Sequence, residues 1–145
     1  MECARALKAI TARAGTFGLK PAILENKVVY VDMNDCPAQL DILAHVDVVP
    51  AGDGWSVTEP FVPLLRDGKL YGRGTCDDKG PAVAALYAMR AVRELNISLK
   101  YNVRLILGAD EETGCRDTDC YYSHFKEAPC SYSPDGEYPV INLEK

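Results

Sequence analysis

The stretch Leu40-Asp41-Ile42-Leu43-Ala44-His45-Val46-Asp47 decides how the rest of the chain is read. Its middle is an apolar run with the length of a buried strand, and its end carries an imidazole and a carboxylate two residues apart. Alternation along a strand puts His45 and Asp47 on one side. A strand that presents His-x-Asp at the carboxyl edge of a sheet supplies fixed groups where open α/β proteins keep their sites. Three later acidic clusters have the means to meet it there: Asp77-Asp78, Asp110-Glu111-Glu112 and Asp135.

Working outward, the chain reads as alternating strands and helices. Residues 2 to 14 place Ala6, Leu7, Ala9 and Ile10 among basic residues, a surface helix stopped by Gly15. Val28 to Val31 is a β-branched and aromatic strand after the Glu25-Asn26-Lys27 turn, and pairing with its neighbour, the strand ending at His45, is expected to form a hairpin. Pro60 and Pro63 between Trp55 and Arg66 argue against helix and for an extended flap across the mouth of the site. Asp67-Gly68 then turns the chain into a short strand over Lys69 to Gly72. Pro81 to Leu95 has helical periodicity with small residues, and a proline at a helix start costs no hydrogen bond. Asp77 and Asp78 therefore lie in the loop that feeds a helix N-terminus. Tyr101 to Leu107 is apolar enough to be a central strand and delivers Asp110-Glu111-Glu112. A short helix over Thr118 to Phe125, a loop over Ser131 to Pro139 and a last strand over Val140 to Leu143 complete the reading. Strands separated by a crossover helix imply an α/β fold, a partly parallel mixed sheet layered by helices.

Composition bounds the function. The 145 residues suit one domain, and 48% hydrophobic with 26% charged residues is ordinary for a water-soluble globular chain. A net charge of −5 with scattered basic residues argues against nucleic acid. No apolar run reaches the roughly 18 residues of a membrane helix, and the first residues do not read as a secretory signal. A cytoplasmic setting follows, with the six cysteines as reduced thiols because no CxxC pair is present.

The acids matter as a set. Singly, each has an ordinary explanation: His45 hydrogen-bonded at a strand end, Asp47 capping a turn, Asp77-Asp78 complementing a helix dipole, Asp110-Glu111-Glu112 solvated. Together, adjacent carboxylates raise one another's pKa unless a cation neutralises them. Imidazole with carboxylates suits zinc, manganese or cobalt.

Four ordered motifs sharpen this. His-Val-Asp-Val-Val-Pro at 45 to 50, Gly-Arg-Gly-Thr-Cys-Asp-Asp-Lys-Gly-Pro at 72 to 81, Asp-Glu-Glu-Thr-Gly at 110 to 114 and Ser-Pro-Asp at 133 to 135 resemble the co-catalytic dinuclear metallopeptidases. That family contains aminoacylases, succinyl-diaminopimelate desuccinylases, glutamate carboxypeptidases and carnosine-type dipeptidases, and the resemblance is strongest to its bacterial dipeptidase branch. It implies that His45 and Asp135 bind one Zn2+, Glu112 the other, and Asp77 bridges both, with Mn2+ or Co2+ as alternatives. It further implies Glu111 as general base, Asp47 as the partner orienting His45, and a cis peptide after Asp77. The implied reaction is hydrolysis of the amide bond of dipeptides or short peptides.

The family's second cation needs a further histidine from near the end of a much longer chain, and His124 sits in the wrong place for that role. An inserted lid domain begins soon after the Asp135 region. The chain is therefore expected to be the N-terminal portion of one catalytic domain, residues 1 to 145, without the lid and C-terminal half. Expected partners are a small peptide substrate, and either further copies of itself or a C-terminal partner chain covering the apolar sheet. As alternatives to an active enzyme stand a non-catalytic fragment that keeps the fold and part of the metal site, and one subunit of a split enzyme.

Overall fold

In the computed structural model, which describes residues 2–136, the elements follow one another as α1 (Glu2–Thr16), β1 (Lys20–Leu24), β2 (Val28–Asp32), β3 (Ala38–His45), β4 (Leu64–Arg66), β5 (Lys69–Tyr71), α2 (Lys79–Glu94), β6 (Asn102–Gly108), a 3-10 turn (Glu111–Thr113), α3 (Arg116–His124) and β7 (Cys130–Tyr132). Five strands form one mixed sheet in the order β1-β2-β6-β3-β7, and β4 pairs with β5 as a separate hairpin. The expected α/β architecture is the observed one.

Strand β6 is the axis of the sheet. Its run Leu105-Ile106-Leu107 is buried on both faces, as a central strand requires. Leu105 and Leu107 join Val29 and Val31 of β2 in a core with Leu7 and Ala14 of α1 and Leu86 and Met89 of α2. Ile106 and Val28 point the other way, into a second cluster with Tyr121, Tyr122 and Phe125 around α3. The period-2 alternation of two adjacent strands thus assigns the helices to opposite layers.

Two expectations are corrected. β2 and β3 do not form a hairpin, because β6 lies between them, antiparallel to β2 and parallel to β3. β2 instead turns back on β1, an element absent from the sequence reading, through Glu25 and Asn26 with φ of 47° and 56°. These two successive left-handed residues make a tight turn closed by the Lys27 N–H to Leu24 O bond, within a three-residue connection that pairs Leu24 with Val28. The stretch expected to be loop from Ser131 begins instead with β7, parallel to β3 through Leu40↔Cys130 and Ile42↔Tyr132. The expected strand over Val140 to Leu143 lies outside the described residues.

The parallel β3–β6 pair carries Ile42↔Leu105 through His45↔Gly108, so both strands end together. Beyond that edge the chain delivers His45-Val46-Asp47 from one strand and Ala109 to Glu112 from the other. No helix among the described residues is long and apolar enough to cross a membrane.

Candidate metal centre

His45 is almost fully buried, 2% exposed, where β3 ends. Its Nδ1 lies 3.2 Å from Asp47 Oδ1, so alternation has put the two side chains on one side as expected. A carboxylate only accepts, so the ring donates from Nδ1 to Asp47, and Nε2 is left to face acceptor oxygens, to which it either donates a proton or, with a cation between them, turns its lone pair. Nε2 faces Asp77 Oδ1 at 3.0 Å and Asp135 Oδ2 at 3.8 Å.

Asp47 has a second task. Its Oδ1 accepts the backbone N–H of Glu111 at 3.3 Å and its Oδ2 that of Glu112 at 3.0 Å. One carboxylate therefore fixes both the imidazole and the turn carrying the two glutamates. Ligand atoms of His45, Asp77 and Asp135 lie within 4.8 Å of one another, and so do those of His45, Glu111 and Glu112. All six residues singled out in the sequence therefore meet at one place, with His45 common to both groups. His124 is elsewhere, at the end of α3.

Two further acids, Asp78 and Asp117, build the site beside those six residues. Asp78 is fully buried, and its Oδ2 accepts the backbone N–H of His45 at 3.2 Å. The Asp77–Asp78 peptide is cis. Burial, the largest influence, pushes the Asp78 carboxyl up to about 6, with Asp135 and Asp77 adding repulsion. Asp117, in the first turn of α3, accepts N–H groups of Ala109 at 2.5 Å and Asp110 at 2.8 Å. A side chain at Gly108 would run into that carboxylate, so glycine is needed where β6 ends. Asp117 had no sequence signal beyond being an acid near a helix start, and Asp78 was legible only as the neighbour of Asp77.

The electrostatics are those of excess negative charge. Burial alone would lower the His45 pKa, yet Asp47, Asp78, Glu111 and Asp135 together raise it. Lys79 interacts with Asp47, Asp77 and Asp78, but burial lowers its own pKa. Buried oxygens Glu112 Oε1 and Asp78 Oδ1 have no hydrogen-bond partner among the described residues. Unpartnered buried carboxylate oxygens beside an imidazole nitrogen that faces only further carboxylates are a donor set a divalent cation satisfies.

Between β3 and α2 the chain forms the β4–β5 hairpin and the loop that precedes it. Trp55 donates to Ala51 O at 2.8 Å, and the Arg73 guanidinium lies 5.3 Å over its ring.

Fold and cleft define the class: an α/β protein whose strand ends offer imidazole and carboxylate ligands to divalent cations. The comparisons agree. Residues 42–132 match the model of peptidase family M20/M25/M40. YtjP of Bacillus subtilis strain 168, provisionally named a dipeptidase, is 44% identical over 106 residues, 73% of this chain and 23% of YtjP. A provisionally named dipeptidase of Staphylococcus saprophyticus is 45% identical over 104 residues, 72% of this chain and 22% of its own length. Human carnosine dipeptidase 1 superposes with a TM-score of 0.78 at 26% identity over 94% of this chain and 33% of that one. The M20 metallo-carboxypeptidase Sso-CP2 of Sulfolobus solfataricus gives 0.77 at 25% identity, covering 93% and 32%.

The chain belongs to peptidase family M20/M25/M40, a family of metallopeptidases whose chemistry involves divalent cations. It spans less than a quarter of the length of the curated relatives it matches.

Proposed function

We propose that this chain forms part of the cleft of a metal-dependent dipeptidase that hydrolyses the amide bond of dipeptides or short peptides. The observation that carries this reading is the His45 ring, held at Nδ1 by Asp47 and turned with Nε2 toward Asp77 and Asp135. In this reading His45 and Asp135 hold one cation, Glu112 the other, and Asp77 lies between the two. The set of one imidazole and several carboxylates suits Zn2+, and also Mn2+ or Co2+. Cations bound there would polarise the scissile carbonyl and acidify water. Asp47 holds the imidazole in the tautomer that leaves Nε2 unprotonated and keeps the Glu111–Glu112 backbone in place. The Glu111 carboxylate takes a proton from the attacking water and delivers it to the departing amine nitrogen. Residues 1 to 145 would be the N-terminal portion of one catalytic domain, a reading supported by the one main sheet that the described residues form. A cytoplasmic setting fits the six free thiols.

A second reading is favoured by the limited coverage of the relatives. The chain then keeps the fold and part of the metal site without turnover, or is one subunit of a split enzyme whose turnover needs a C-terminal partner chain. Metal analysis after titration with Zn2+ or Mn2+, run beside dipeptide hydrolysis, tests both. One tight ion that is lost in His45→Ala is expected, since Asp77 and Glu112 alone would hold a second one weakly. Hydrolysis that falls about 10²–10⁴-fold in Glu111→Ala, with the tight ion retained, supports the enzyme. Binding without turnover supports the second reading, and cation binding indifferent to His45→Ala overturns both.

A further inference from the structure

Outside the His45 cleft, one group of side chains brings together three different ligand chemistries. Glu25, Cys120 and His124 place a carboxylate oxygen, a thiol sulfur and an imidazole nitrogen within 4.8 Å of one another. Cys120 and His124 are one helical turn apart on α3, hence on one face. Glu25 comes from the β1–β2 turn, where its left-handed backbone and the Lys27 N–H to Leu24 O bond of 2.9 Å make a tight platform. We propose that these three residues form a site for a zinc-class divalent cation, separate from the metallopeptidase centre.

The orientation of the ring supports this. His124 Nδ1 lies 2.9 Å from the Cys120 carbonyl and 3.0 Å from Ser123 Oγ, and that hydroxyl itself donates to the same carbonyl at 2.7 Å. A carbonyl only accepts, so the proton sits on Nδ1 and Nε2 carries the lone pair. Backbone anchoring of Nδ1–H is the outer support that metal-ligating histidines usually have. Nε2 faces Glu25 Oε1 at 3.8 Å, and the Cys120 thiol hydrogen-bonds the same carboxylate. Ligands of a tetrahedral zinc ion are about 3.3–3.8 Å apart, given its bond lengths of about 2.0–2.3 Å. Lys27 lies at the other carboxylate oxygen, 3.3 Å from Oε2, which leaves Oε1 to the cation.

Thiolate, imidazole and carboxylate together select a softer ion than the oxygen-rich cleft does. Binding releases the thiol proton to solvent and leaves the fourth position to water. It also ties α3 to the β1–β2 turn, two elements distant in sequence.

Cobalt titration tests the site, because a thiolate bound to Co2+ gives a near-ultraviolet charge-transfer band that oxygen and imidazole ligands do not. The whole chain, with circular dichroism confirming that each variant is folded, is expected to show the band. Cys120→Ser should abolish it, Cys76→Ser should leave it, and His124→Ala should weaken cobalt binding by more than about tenfold, since loss of even an outer-shell partner costs about 10–100-fold. No band in the unsubstituted chain, or a band unchanged in Cys120→Ser or His124→Ala, overturns the proposal.

Discussion

Two groups of carboxylates in this sheet have opposite fates. On β2, Asp32 receives Arg104 Nε at 2.6 Å and Nη2 at 2.8 Å, and Asn102 Nδ2 at 2.5 Å. The same guanidinium donates to the Tyr121 hydroxyl at 2.9 Å and lies over the rings of Tyr30 and Phe125 at 4.7 and 4.8 Å. The Asp32 and Arg104 charges partner each other within the chain. At the end of β3, six carboxylates gather about one imidazole, Lys79 with its lowered pKa is the lysine among them, and two buried oxygens go without a partner among the described residues. The first arrangement holds the sheet together. The second is costly on its own and becomes favourable when a cation arrives from solution.

The largest effect should come from the satisfied pair. Asp32→Ala leaves Arg104 partly buried and uncompensated, and a loss of about 3 kcal/mol in urea unfolding is expected, with cation affinity at the cleft unchanged. Equal loss of cation binding would erase the contrast between the two regions.

Next comes a gain. The Asp78 carboxyl is raised to about 6, so between about pH 4 and about pH 6 the native state keeps a proton that the unfolded chain has released. Native stability then falls as pH rises through that window, by about 2–3 kcal/mol in chelator-treated protein. His45, also raised, adds in the same direction, its contribution being full below its unfolded pKa and lost above its folded one. Asp78→Asn should flatten the profile below pH 6 and stabilise the metal-free chain at neutral pH by a similar amount. A rise of stability with pH from 4 to 6 would contradict the idea that this acid is held at a cost.

The contrast also explains what could be read from the chain. His45 with Asp47, and the acidic clusters at 77–78, 110–112 and 135, were legible because they sit at a strand end, a helix start and turns, while the choice of Asp77, Glu111, Glu112 and Asp135 among them came from the resemblance of four ordered motifs. The β3 and β6 runs and the small-residue face of α2 announced themselves through periodicity. The pairing order did not, because β6 arrives from 57 residues beyond β3 and nothing local says that it inserts beside β2. β1 was hidden by Pro21 near its start and by its brevity. Asp117 and the Glu25–Cys120–His124 group were hidden for one reason: each acts through elements that only tertiary structure brings close.

The smallest of these effects separates positioning from ligation. Asp47 meets both His45 Nδ1 and the N–H groups of Glu111 and Glu112, so its two oxygens join the imidazole to the glutamates. Asp47→Asn keeps one acceptor and the volume but removes the charge, so the fold should persist while the imidazole becomes a poorer ligand. A weakening of the tight cation by about 10–100-fold, or about 1.4–2.7 kcal/mol, is expected from calorimetric titration. The number of tight ions should stay the same, because an orienting partner alters the strength of a ligand and not its presence. If Asp47→Asn abolished the ion as completely as His45→Ala, Asp47 would be a ligand itself, and the geometry at Nδ1 would need a different explanation.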